Sequence, residues 1–277
     1  MSGGGNTERS PGGSAGCIRE RLESSNSLWS VQRWLGRLGF RVVRVSRGTE
    51  DMEDSFLELY AECRDFTMTS IERMYALYKA VEYVSDYGIA GDLVECGVWK
   101  GGSCMMMALT LLSRGETGRN IYLYDTFRGM CEPGKYDYTV HDGRSGRSRW
   151  TVAERDGYNK LYYAPLNEVK ANLYSTGYPR EHLIFVEGKV EDTIPRVVPE
   201  AISLLRLDTD WYESTRHEMV HLYPLLAPGG VLLLDDYGYW AGSRRAVDEY
   251  FREIGEPVLL NRIDANGRIG IRQIPPA

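Results

Sequence analysis

No stretch of this chain approaches the roughly 18 consecutive apolar residues that a membrane-spanning helix needs. The longest runs, such as VLLLDD, are strand-sized. Residues 1–15 hold no apolar core, so no secretory leader is expected. Cysteine is scarce, with five residues and no CxxC pair, which excludes a small disulfide scaffold. Free thiols in a reducing cytoplasm are the expectation, with Cys96 and Cys104 packed among apolar neighbours. A basic surplus is also missing: 33 Lys and Arg face 39 Asp and Glu, a net charge of -6, so no nucleic-acid partner is expected. There is no GxGxxG and no GK[ST], which excludes a P-loop. His217 and His221 are four residues apart but have no HExxH or cysteine to complete a zinc site.

What remains has α/β character. Residues 1–16 are Gly, Ser, Pro and charge, and read as a disordered tail. Residues 17–90 read as a helical cap region, with a helix over 17–34, an extended piece over 39–48, a helix from near Met52 and another over 70–87. That last segment carries Met74, Leu77, Tyr78, Val81 and Val84 at helical spacing, with Thr69 or Ser70 placed to cap it. From residue 91 to 277, short apolar runs alternate with helical segments. Strands are expected over 92–98, 120–125, 182–188, 202–208 and 229–236. Helices are expected over 105–113, 165–174, 191–197, 219–226 and 244–254. Two final runs, 257–264 and 268–274, flank Asn266-Gly267, a hairpin signal. The sum is a mostly parallel seven-stranded sheet between helices, closed by an antiparallel hairpin, the methyltransferase variant of the Rossmann-like fold. The long connection 126–158, rich in Gly, Tyr, Arg and Asp, reads as a lid-like insertion.

The first strand ends in VECGVWKGGS. Glu95 lies near its end, Gly97 opens the turn, and Gly101 and Gly102 allow close backbone approach. Such a loop suits a cofactor without phosphates. The methionine tail of S-adenosylmethionine offers a carboxylate for backbone N–H groups and an ammonium for Glu95. Asp125 ends the second strand, 30 residues after Glu95, where a carboxylate can accept both ribose hydroxyls. Nicotinamide cofactors use the same contact, and a structural role capping the next turn competes with it. Gly188 closes the third strand, where the adenine edge is expected.

Asp208 ends the fourth strand and the pair Asp235-Asp236 ends the fifth. Neighbouring strands would bring the three carboxylates into one crevice, where they repel unless protons or a cation intervene. Three carboxylates suit Mg²⁺ or Mn²⁺ and leave room for a vicinal diol. A metal-bound hydroxyl loses its proton near neutrality and can attack the cofactor's methyl group. Asp208 is then both ligand and proton acceptor. His141, in the lid-like loop, is a candidate substrate contact or auxiliary base; Asp210 reads as a substrate contact or a support behind the metal ligands rather than a ligand, and capping of a helix starting near Tyr212 competes equally with that.

These residues also resemble a family, the sugar O-methyltransferases acting on macrocin, mycinamicin and the noviose of novobiocin. The matching stretches are MTSIERMYALYKAVEYV, GDLVECGVWKGGS, IYLYDTFRGM, LLRLDTDWYEST and LLAPGGVLLLDDY, within roughly residues 52–274. The resemblance implies an S-adenosylmethionine- and Mg²⁺-dependent O-methyltransferase for a sugar of a bacterial natural product. It implies metal ligands at Asp208, Asp235 and Asp236, with Asp208 also the base. It implies cofactor contacts at Thr69, Ser70, Glu95, Gly97, Ser103 and Asp125. It also implies a homo-oligomer whose N-terminal segments, here 17–60, help cover neighbouring active sites. Trp211 departs from the smaller apolar residue expected there. The lid aromatics Tyr136, Tyr138, Trp150, Tyr158 and Tyr162 are candidates to stack on a sugar or aryl group. Two other readings stay open: a catechol-type O-methyltransferase, and a nicotinamide-dependent oxidoreductase.

Overall fold

In the computed structural model, which describes residues 48–273, the apolar runs pair edge to edge. The readings made for 1–16, 17–34 and 39–47 lie outside the described residues. From Asp51 the chain forms one compact unit. Its sheet is built from β1 (Asp92–Cys96), β2 (Ile121–Asp125), β5 (Leu183–Glu187), β6 (Ile202–Leu207) and β7 (Leu226–Leu234), all parallel. A C-terminal hairpin, β8 (Asn261–Arg262) and β9 (Arg268–Ile271), adds two antiparallel strands. The spatial order is β5-β2-β1-β6-β7-β9-β8. This is the Rossmann-like methyltransferase fold expected from the sequence. Every residue of β6 is buried, because helices cover both faces of a parallel sheet.

Before the sheet come α1 (Asp54–Cys63) and α2 (Ile71–Asp86). Ser70 caps α2 by accepting the Arg73 N–H at 3.2 Å. The predicted stripe Met74, Leu77, Tyr78, Val81 and Val84 is the buried face. Behind them runs α3 (Gly102–Ser113), buried along almost its whole length. It starts at Gly102, earlier than its apolar run suggests. A Cβ on Gly102 would lie 2.7 Å from the Phe66 backbone, so only glycine lets the helix begin there. The later helices are α5 (Leu166–Ser175), α6 (Val190–Thr193), α7 (Tyr212–His221) and α8 (Ala241–Ile254). The helix expected over 219–226 instead begins at Tyr212 and stops at His221. Past it, Pro224 leaves only a short 3₁₀ turn.

The connection 126–158 holds structure that its composition hid. A helix, α4 (Gly146–Ala153), is capped by Ser145 and followed by a two-residue hairpin of β3 (Glu154–Arg155) and β4 (Tyr158–Asn159). The segment is pinned to the sheet end. Asp137 accepts N–H groups from Tyr212 and Gly134, at 2.8 and 2.7 Å. Trp150 and Trp211 donate their indole N–H to the carbonyls of Met130 and Cys131, both at 2.9 Å. Trp211 thus packs under this segment, edge-on to Trp240 with ring centres 4.7 Å apart.

The strands stop earlier than their apolar runs. β1 ends at Cys96 rather than 98 because Gly97 turns at φ +85°. β7 ends at Leu234, so Asp208 and Asp235 both sit one residue past a strand end, held by N–H bonds to Cys96 and Leu207 carbonyls at 2.8 and 3.0 Å. A Cβ on Gly97 would lie 1.9 Å from the Asp208 carbonyl oxygen. Gly97→Ala is therefore expected to cost roughly 3 kcal/mol or more by combining backbone strain with overpacking. Thermal or urea unfolding of the purified variant measures it; an unchanged midpoint would contradict this close approach.

Candidate active site

Strands β1, β6 and β7 deliver their C-terminal ends to one cavity of about 710 Å³. Asp208, Asp235 and Asp236 face each other there, each with one oxygen within 4.8 Å of the others. The register explains this. Leu207 pairs with Leu234, so the residues that follow, Asp208 and Asp235, emerge side by side. Gly97, Ser103, Thr69, Asp125 and Gly188 line the same cavity.

Two arginines run through the carboxylate cluster. Arg206, fully buried on β6, pairs with Glu95, with Asp208 at 2.9 Å and with Asp235 at 2.5 Å. It also donates to the Thr69 hydroxyl at 2.9 Å. Arg73 of α2 pairs with the second oxygen of Asp235 and, at 2.9 Å, with Asp264 in the hairpin turn. The sequence carried one signal of this: an arginine inside an otherwise apolar, doubly buried strand demands internal counter-charge.

Burial and the neighbouring Asp235 charge push the Asp208 carboxyl well above the usual range, and Arg206 opposes them. Asp236 is likewise pushed well up, by burial and then by Asp210. Asp210 adopts φ +65°, donates its N–H to Asp236 at 3.0 Å and accepts the Trp240 indole N–H. Burial pushes its pKa up to about 6, against hydrogen bonds from Asp236 and Trp240. On the buried face of α7, Glu218 accepts the Thr209 hydroxyl at 3.1 Å and is raised well above its ordinary value by burial.

Several predicted residues lie elsewhere than expected. Glu95 is beneath the cavity, its carboxylate taken by Arg206 and by the Cys104 thiol at 2.6 Å. Ser70 is not among the lining residues; it caps α2 and donates to Asp264 at 2.7 Å. Asp125 reaches the cavity, but its oxygens accept the N–H groups of Val98, Trp99 and Phe127 at 2.7, 3.1 and 2.7 Å. It fastens the glycine turn to β2 and keeps one of about four lone-pair positions. His141 is not brought to the cavity. It is exposed on the turn that Thr139 and Asp142 close, where the Gly143 N–H bonds to the Thr139 carbonyl at 3.0 Å. Of the five lid aromatics, Tyr162 lines the cavity, while Tyr136, Tyr138, Trp150 and Tyr158 do not. Trp211 and Tyr239 line it too. His217 and His221 stack 4.4 Å apart, away from the cavity, with His217 bonded to the Ile194 carbonyl.

Comparison with known proteins places this geometry. The family model described as macrocin O-methyltransferase (TylF) matches residues 60–269. An 8-demethyl-8-(2,3-dimethoxy-alpha-L-rhamnosyl)-tetracenomycin-C 4'-O-methyltransferase of Streptomyces olivaceus is 35% identical over 201 residues, 73% of each chain. Demethyldecarbamoylnovobiocin O-methyltransferase of Streptomyces niveus is 32% identical over 201 residues, again 73% of each. The solved structure of the O-methyltransferase NovP superposes with a TM-score of 0.67 at 31% identity, covering 76% of this chain and 83% of that one.

The raised Asp210 pKa has a sign that can be measured. Folded, Asp210 holds its proton up to about pH 6; unfolded, it releases it near 3.8. The stabilisation is therefore complete below pH 3.8 and lost as the pH rises through 6. His221, lowered by burial and by His217, acts oppositely up to 6.5. Thermal melting in EDTA should show a larger loss from pH 5 to 7.5 in the wild type than in Asp210→Asn. Equal losses would contradict the assignment.

Proposed function

The chain belongs to the macrocin O-methyltransferase family and is an S-adenosylmethionine-dependent O-methyltransferase, and from that premise we propose that its acceptor is a sugar hydroxyl of a glycosylated natural product and that a divalent cation assists. The observation that carries the cation is the Asp208, Asp235 and Asp236 triad, one oxygen from each within 4.8 Å. Its donors fit Mg²⁺ or Mn²⁺: all are hard carboxylate oxygens, and their number leaves positions for other oxygens. S-adenosylmethionine supplies an electrophilic methyl group, and the cation, when bound, lowers the pKa of hydroxyls that chelate it.

The chain's own residues supply the rest. The turn at Gly97, with Ser103 and Thr69, offers backbone and hydroxyl groups to the methionine tail. Asp125 and Gly188 face the nucleoside side, Asp125 with its remaining lone pair. Asp208 acts as base. Arg206 takes Oδ2, so Oδ1 is the oxygen left open to the cavity, for the cation and for the acceptor hydroxyl beside it. Proximity in the cavity aligns the acceptor oxygen with the methyl carbon. Trp211, Tyr162 and Tyr239 give the acceptor an aromatic wall, while Asp210, Glu191 and Glu213 give it a polar rim. That rim favours a saturated, hydroxylated ring over a flat catechol. Among the described residues, no helix is long and apolar enough to cross a membrane. A cytoplasmic homo-oligomer completes the reading.

Asp208→Ala should lower transfer about a thousandfold or more while S-adenosylhomocysteine affinity changes only a few-fold. Calorimetry paired with a methyl-transfer assay on glycosides, with and without EDTA, reads both. Undiminished turnover by the variant would contradict the mechanism.

A further inference from the structure

Asp235 has no oxygen outside the reach of a guanidinium. Arg206 takes Oδ1 at 2.5 Å, a position that Thr69 also approaches at 3.4 Å, and Arg73 takes Oδ2. A cation drawing on Asp235 must share these oxygens or displace one arginine. The two are not equally able to yield. The Arg206 side chain is 3% exposed and spans Glu95, Asp208, Asp235 and Thr69. Moving it would strand the Glu95 carboxylate in the interior. The Arg73 side chain is 12% exposed and has somewhere else to go. Its Nε already donates to Asp264 at 2.9 Å and lies 3.4 Å from the Ser70 hydroxyl. Its stem is fixed by the hairpin: a Cβ on Gly267 would lie 2.7 and 2.8 Å from Arg73 Cδ and Cγ. Only the head of this side chain is shared between Asp235 and the hairpin.

Resting on the cation reading above, we propose that Arg73 is an internal rival of the divalent cation for Asp235. It is a positioning residue that sets the cation affinity of the site and links its occupancy to the C-terminal hairpin. Without a cation, the Arg73 charge holds Asp235 and eases the mutual repulsion of the cluster. With one, the guanidinium falls back on Asp264, whose Oδ2 also accepts the Ser70 hydroxyl at 2.7 Å and whose Oδ1 accepts the N–H groups of Asn266 and Gly267 at 2.8 and 2.6 Å, which hold the turn in place. The site is thereby kept ordered before the cation arrives, and its affinity is lower than three carboxylates alone would give.

The test is Mn²⁺ titration of the S-adenosylhomocysteine-loaded protein, followed by calorimetry and by the electron paramagnetic resonance of free Mn²⁺. Arg73→Met removes the charge and keeps the stem against Gly267. Arg73→Gln removes the charge and keeps a donor, and serves if the first variant fails to fold. Both are expected to bind Mn²⁺ on the order of tenfold more tightly than wild type, because a like charge has left the cation's neighbourhood. Arg73→Lys restores the charge and should return the affinity towards wild type. Unchanged or weaker binding by a folded, charge-removed variant, where wild type binds through Asp236 as judged by Asp236→Asn, would overturn the rivalry and leave the cation reading standing. Absence of Mn²⁺ binding in wild type and variants alike would overturn both.

Discussion

A buried guanidinium organises this molecule's chemistry. Arg206 stands on the central strand β6 and meets Glu95 of β1, Asp208 at its own strand's end and Asp235 beyond β7. Buried like charges cannot gather without compensation, and the cost of leaving any of them unpaired is large. The arginine lets three neighbouring strands present carboxylates at adjacent positions. It also explains why Glu95 lies below the cavity: its charge belongs to Arg206.

Around Arg206 and its three carboxylates the remaining parts fall into place by register and close approach. Gly97 passes against the Asp208 carbonyl, and Asp125 ties the same turn to β2 through three backbone N–H groups. The helix α2 enters from outside the sheet, bringing Thr69 and Arg73 to Asp235 and Ser70 to Asp264. The segment 126–158 is fastened beside the cavity by Asp137, which accepts the Tyr212 N–H, and by the Trp211 indole on the Cys131 carbonyl, while the Trp150 indole braces it internally. Strands, turn, cap helix and hairpin are joined through side-chain bonds that converge on one group of carboxylates.

Much of the frame was legible in the sequence because it rests on local pattern. Buried parallel strands read as continuous apolar runs, the α2 stripe has helical spacing, and Asn266-Gly267 marks the hairpin. The three aspartates could be placed in one crevice because they follow strands that must be neighbours. The partners of Glu95, Ser70 and Asp125 were not legible. Each offers chemistry that suits a cofactor, and only the tertiary fold decides that Arg206, Asp264 and a backbone turn claim them. The helix Gly146–Ala153 was hidden by its glycine start and its lack of an apolar period. His141 looked functional because it sits in a long polar loop, but a tight turn keeps it at the surface. Asp210 and Trp240 are 30 residues apart, so their hydrogen bond left no sequence signal.

We propose that Asp208, Asp235 and Asp236 together hold the cation that assists transfer. The most direct test is anomalous diffraction from crystals grown with Mn²⁺ and S-adenosylhomocysteine. One strong peak is expected within carboxylate-bonding distance of all three side chains, beside the cofactor in the cavity. A cavity containing the cofactor but no such peak, at saturating Mn²⁺, would contradict it.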